Sequence, residues 1–160
     1  MTNPVTNPAP GSDSRDIVVE EVLPHAPDVI WKVLTSGELI SRWLMPNDFA
    51  PVVGRKFTFQ TKPMGNWDGI VHCEVLEIKP REKLVYSWKG GSDHNAAYGS
   101  HLDSVVTWSL AAVEGGTRLR LVHSGFRSPE NDFAFDAMSG GWAKVTQSIG
   151  KVAADPETMG

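Results

Sequence analysis

His123 is the polar side chain best placed to do chemistry in this 160-residue chain. Leu119, Leu121 and His123 alternate with Arg118 and Arg120, so the imidazole faces inward with the apolar side chains. A buried imidazole can donate, accept or take a proton. It is therefore either a polar contact to a ligand, or a general base, or a histidine satisfied by backbone or water near a strand end. Cys73 shares a face with Val71 and Val75, while His72 points the other way. No basic neighbour in sequence lowers its pKa, and it reads as a buried structural thiol. Asp93, His94, His101 and Asp103 crowd residues 89–103 with side chains of metal-binding type. They lack the regular spacing of ligands on one helix or strand. The stretch reads as a solvated loop that borders a cavity mouth and acts as a lid. Ser124 and Ser139 match no nucleophile-elbow pattern, and no glycine-rich phosphate loop occurs. No catalytic residue, metal or cofactor is assigned.

The elements that must position these groups show in the periodicity. Val106, Trp108 and Leu110 alternate with Thr107 and Ser109, and Glu114-Gly115-Gly116 turns the chain back into the His123 strand. From Phe135 the period changes: Met138, Trp142, Val145, Ile149 and Val152 follow at spacings of three and four, one face of a long helix. Upstream, Ile17 to Leu23 forms a strand, and Pro27 suits a first helical turn. Ser36 caps a second short helix that carries Leu39, Ile40, Trp43 and Leu44. Phe57 and Phe59 mark one strand, and another starts near Trp67. In the latter, Leu76 and Ile78 fall out of phase with Val71, Cys73 and Val75, which a bulge near Val75 reconciles. Leu84, Tyr86 and Trp88 form the heavy face of the next strand. Strands with segregated helices and short connections predict an α+β fold with an antiparallel sheet.

Residues 1–14 are rich in Pro, Asn, Ser and Gly and read as a disordered tail; 15–154 form one domain, and 155–160 fray. The formal net charge of -4 argues against nucleic acid as main partner. No apolar run is long enough to span a bilayer, and no secretory signal opens the chain. With a lone cysteine, these features favour a cytoplasmic location.

This order of elements resembles the helix-grip fold of the START and birch-pollen-allergen superfamily. Within it the chain is similar to the family named for the activator of the heat-shock protein 90 ATPase. The resemblance rests on VIWKVLTSGELISRW (29–43), the Val53–Phe59 run, DGIVHCEVLEIKP (68–80), LVYSW (84–88), GGTRLRLVHSGF (115–126) and GGW (140–142). It implies a curved antiparallel sheet of about six strands wrapped around a long C-terminal helix, with two short helices after the first strand and a deep cavity between sheet and helix. The superfamily includes lipid carriers, plant hormone receptors, polyketide cyclases and resistance proteins, so the cavity does not fix one chemistry.

The leading reading is a protein that binds a small hydrophobic or amphipathic molecule in that cavity. Its candidate lining is Trp43, Phe57, Phe59, Trp67, Val71, Cys73, Tyr86, Trp88, Trp108, His123, Met138, Gly141, Trp142 and Val145. Trp43, Trp88, Trp108 and Trp142 lie on apolar faces of four elements, as core bulk or as cavity wall. Polar contacts fall to His123 with Tyr86 or Trp67. Each of Gly140 and Gly141 costs a helix interior about 1 kcal/mol relative to Ala. Gly141 leaves room for a ligand, packs closely against a strand, or marks a kink. A cyclase- or hydrolase-like enzyme using the same cavity needs an acid–base partner for His123. A co-chaperone-type domain needs an exposed apolar patch instead. A protein partner or a homodimer stays open.

Overall fold

The computed structural model describes residues 14–62, 69–90, 102–127 and 131–155. The chain runs β1 (Ser14–Leu23), α1 (Pro27–Thr35), α2 (Gly37–Trp43), β2 (Lys56–Gln60), β3 (Ile70–Lys79), β4 (Lys83–Gly90), β5 (Leu102–Val113), β6 (Gly116–Arg127) and α3 (Asp132–Ala154). Six antiparallel strands form one sheet in the order β1-β6-β5-β4-β3-β2. The fold is the expected α+β arrangement, with α1 and α2 after the first strand and α3 closing the chain.

Strand alternation sorts side chains between the two sheet faces. Val106, Trp108 and Leu110 are buried on β5, as are Leu119, Leu121 and His123 on β6. The Ser36 hydroxyl caps α2 by accepting the Leu39 N–H (3.4 Å), and Pro27 opens α1. The expected bulge on β3 is present: Val75 pairs with Tyr86 but Glu77 pairs with Val85, so Leu76 is the extra residue. A second bulge occurs on β6. Arg15 pairs with Phe126 and Asp16 with Ser124, which leaves Gly125 between them. Gly125 has φ +105°, and a Cβ there would lie 2.9 Å from the Asp103 carbonyl oxygen. Only glycine fits this turn of the strand. The bulge changes the phase, and Phe126 is fully buried beside His123 rather than facing out.

Some boundaries differ from the sequence reading. β1 reaches back to Ser14, and α3 begins at Asp132 rather than Phe135. Lys89 and Gly90 belong to β4, while Leu102 and Asp103 belong to β5. Asp103 thus sits on a strand, 3.9 Å from Lys89, because cross-strand pairing holds both ends of that stretch. Asp155, assigned to the fraying tail, is held: its N–H reaches the Val152 carbonyl (3.2 Å) and its carboxylate pairs with Arg42 of α2. Trp67, Asp93, His94 and His101 lie outside the described residues.

α3 is tied down at both ends. Near its start Arg15 of β1 pairs with Asp132 at 2.7 Å and lies over the Phe135 ring at 3.9 Å. Near its end Ile149, Val152 and Ala153 are buried, and Arg42 holds Asp155. Between these ties the helix faces the aromatic side chains of the sheet.

Candidate functional site

Aromatic side chains from five elements meet under α3. Trp43 at the end of α2 contacts Trp108 of β5 (ring centroids 5.7 Å apart), and Trp108 contacts Trp142 of α3 (5.7 Å). Trp142 contacts Trp88 of β4 (5.5 Å), and Trp88 contacts Phe59 of β2 (5.3 Å). Phe59, Phe57 and Tyr86 continue the series. Most of these pairs meet edge to face, the arrangement favoured by ring quadrupoles. The four tryptophans therefore converge chiefly on one another.

His123 is enclosed in this cluster and fully buried. The Trp142 Nε1–H lies 2.9 Å from His123 Nδ1. An indole N–H can only donate, so Nδ1 accepts and carries no proton. The ring proton therefore sits on Nε2, which donates to Ser104 Oγ at 2.8 Å. The Ser104 hydroxyl in turn donates to the Trp88 carbonyl at 2.8 Å. Each proton in this series has one place to go. A second proton on the imidazole would face the Trp142 N–H donor against donor. Burial alone already lowers the His123 pKa from 6.5 to about 3. His123 is thus a neutral, doubly bonded strut between β6, β5 and α3. In this arrangement neither nitrogen is available as a general base.

Tyr86 is occupied as well: its hydroxyl accepts the Trp108 Nε1–H at 3.0 Å, and burial pushes its pKa up. Trp43 donates to the Val33 carbonyl at 2.9 Å. Cys73 is a buried thiol whose pKa is raised by burial and then by the Asp48 carboxylate. It is packed as a small apolar side chain, away from nucleophile chemistry.

Beside this sealed cluster lies an apolar pocket of about 120 Å³. Leu44 and Met45, in the turn after α2, form one wall. Trp88 of β4 and Trp142 of α3 form another, and Ala137, Met138, Gly141 and Val145 of α3 complete it. A Cβ built on Gly141 would meet nothing within 4 Å, so close packing against a strand does not explain this glycine. The same holds for Gly140, which is exposed.

Of the candidate lining residues, Trp88, Met138, Gly141, Trp142 and Val145 surround this pocket. Trp43, Phe59, Val71, Tyr86 and Trp108 are packed in the core instead, and His123 is buried among them. Phe57 and Cys73, also core residues, border a polar groove of about 340 Å³ with Asp48, Lys56, His72 and Lys89. Sequence periodicity gave no sign of Met45, which lies in a turn, nor of Ala137; Leu44, expected on the apolar side of the second helix, caps its end and turns to the pocket instead. Ser104 was equally silent, and only its position opposite Trp88 in the β4–β5 register reveals its role. Among the described residues no group of three His, Cys, Asp or Glu side chains could hold a metal ion. No helix among them is long and apolar enough to cross a membrane.

Solved structures share this architecture. Protein MLL2253 from Mesorhizobium loti is 36% identical, with a TM-score of 0.75 over 86% of this chain and 96% of that one. CalU16 from Micromonospora echinospora is 24% identical, with a TM-score of 0.65 over 91% of this chain and 80% of that one. The Aha1 dimer from Colwellia psychrerythraea, solved in solution, is 18% identical, with a TM-score of 0.68 over 87% of this chain and 96% of that one. No protein with a curated description matches the chain. The family model for Activator of Hsp90 ATPase homolog 1-like protein matches residues 24–154, which covers both short helices, five of the six strands and α3. The chain therefore belongs to the Activator of Hsp90 ATPase homolog 1-like family.

Proposed function

We propose that this protein binds a small apolar molecule, about one ring in size, in the pocket between the Leu44–Met45 turn, Trp88 and α3. The observation that carries the reading is Gly141. A glycine inside a helix costs about 1 kcal/mol relative to Ala, and here no neighbour requires its missing side chain. What the missing side chain leaves is room in a pocket lined by Trp, Met, Leu and Val. An apolar cavity of about 150 Å³ holds benzene, so the scale suits a single ring or a short branched chain. The two methionines add polarizable, adaptable walls.

The enzyme alternative is weaker because His123 is engaged through both nitrogens. The test is a titration of the purified protein with toluene, followed by melting temperature and by tryptophan fluorescence. Binding to the native state raises the melting temperature, and a ligand against Trp88 and Trp142 changes their emission. Gly141→Leu fills the pocket and should abolish both responses while the protein stays folded. A wild-type protein indifferent to toluene, or a Gly141→Leu variant that responds like wild type, overturns the reading.

A further inference from the structure

We propose that the indole N–H of Trp88 selects the ligand of this pocket, which carries a hydrogen-bond acceptor such as a carbonyl oxygen on an uncharged, ring-sized body. The proposal rests on the binding reading above and adds the chemical class of the ligand.

Buried tryptophans nearly always find an acceptor for the indole N–H. Trp43, Trp108 and Trp142 do so, through the Val33 carbonyl, the Tyr86 hydroxyl and His123 Nδ1. Trp88 is only 4% exposed, yet among the described residues its Nε1 has no acceptor. Trp88 also lines the pocket, so its indole stands in the wall that a guest would touch.

Trp88 is also held in place. Its ring is wedged against Phe59, Trp142 and His123 at centroid distances of 5.3, 5.5 and 5.4 Å, and its carbonyl accepts from Ser104. The indole cannot swing to another acceptor without breaking that packing, so the donor is fixed before a ligand arrives. Among the described residues the rest of the wall offers no competing side-chain donor. Leu44, Met45, Met138 and Val145 have apolar side chains, and the Trp142 N–H is engaged by His123. Among the described residues no charged side chain lines the pocket, so a charged ligand would find no counter-ion among them. One fixed donor in an apolar wall matches one acceptor on an apolar ligand.

The experiment compares cyclohexanone with methylenecyclohexane, which share a ring and differ by an oxygen in place of a CH2 group. Dissociation constants for both are measured by NMR titration on wild type and on Trp88→Phe. The ratio of the two constants cancels the loss of ring volume in the variant. That ratio should move against the ketone by about fivefold in Trp88→Phe, the range of one neutral hydrogen bond. In wild type, the indole 1H–15N resonance of Trp88 should shift downfield with the ketone and not with the alkene. This second measurement decides alone if Trp88→Phe fails to fold. If both ligands bind, but the ratio holds and the Trp88 resonance ignores the ketone, the donor role is overturned and the pocket reading stands. If neither ligand binds wild type, both fall.

Discussion

Trp142 and Trp88 lie 5.5 Å apart and differ in one respect that organises the molecule. Trp142 donates to a histidine that donates to a serine that donates to a carbonyl, and every polar group along that path is engaged. Trp88 has the same indole and is just as deeply buried, yet its N–H has no acceptor among the described residues. One side of the ring cluster has been completed by the protein itself, and the other opens on a pocket. A buried polar group must be satisfied somewhere. The difference between the two rings therefore separates what holds the fold from the pocket proposed to receive a ligand.

The comparison breaks most visibly at Trp108, on the completed side. Trp108→Ala removes a fully buried indole and leaves the Tyr86 hydroxyl without its donor. The expected cost is about 4 kcal/mol in chemical denaturation. A loss below about 1 kcal/mol would mean that the cluster is loosely packed.

Acid tests the same side through His123. Its pKa in the folded protein, about 3, lies below the 6.5 of a free imidazole. Between those values the unfolded chain binds the proton and the folded one does not. Stability contributed by the neutral imidazole is therefore complete above pH 6.5 and lost progressively as pH falls toward 3. The slope is about 1.4 kcal/mol per pH unit in the middle of that window. His123→Gln should flatten the wild-type curve by that amount between pH 6 and 4. Parallel curves for the two proteins would show that His123 is not held neutral by the fold.

Ser104→Ala is a smaller cut. It leaves the His123 Nε2–H and the Trp88 carbonyl without their shared hydroxyl, and should cost about 2 kcal/mol. Because the Trp88 backbone is loosened too, toluene affinity should fall with stability.

The smallest changes sharpen the pocket side. Gly140→Ala and Gly141→Ala both add a methyl group to open space on α3. Each should stabilise by about 0.5–1 kcal/mol. Only Gly141→Ala should weaken toluene binding, since Gly140 is not part of the pocket wall. Equal effects of the two on binding would mean that the glycines set helix flexibility rather than room.

Much of this fold was legible in the sequence because it follows from period and punctuation. Alternation in β5 and β6, the 3–4 spacing of α3, the Ser36 cap and the β3 bulge are local signals, and the structure contains each of them. Phe126 was not legible by alternation, since counting on from His123 puts it outside. The signal was Gly125, because a glycine inside a strand often marks a bulge. The engagement of His123 was not legible either. Its two partners come from β5 and from α3, and their approach depends on how the helix seats on the sheet. The pocket wall shows the same limit. Gly141 stood out as an anomaly in a helical stripe, but Met45 reaches it from a turn that carries no period, and Leu44 lies just past the helix whose apolar side it was expected to join.

The contrast between the two indoles also has a consequence in time. A hydrogen-bonded, buried N–H exchanges its hydrogen with solvent only when the surrounding structure opens. The Trp142 proton is enclosed by His123, so it should exchange in deuterated water only through unfolding that lifts α3 from the sheet. The Trp88 proton should exchange far sooner, through fluctuations of the pocket wall. The protein thus carries two natural clocks within 5.5 Å of each other, one running at the pace of the whole domain and one at the pace of its doorway.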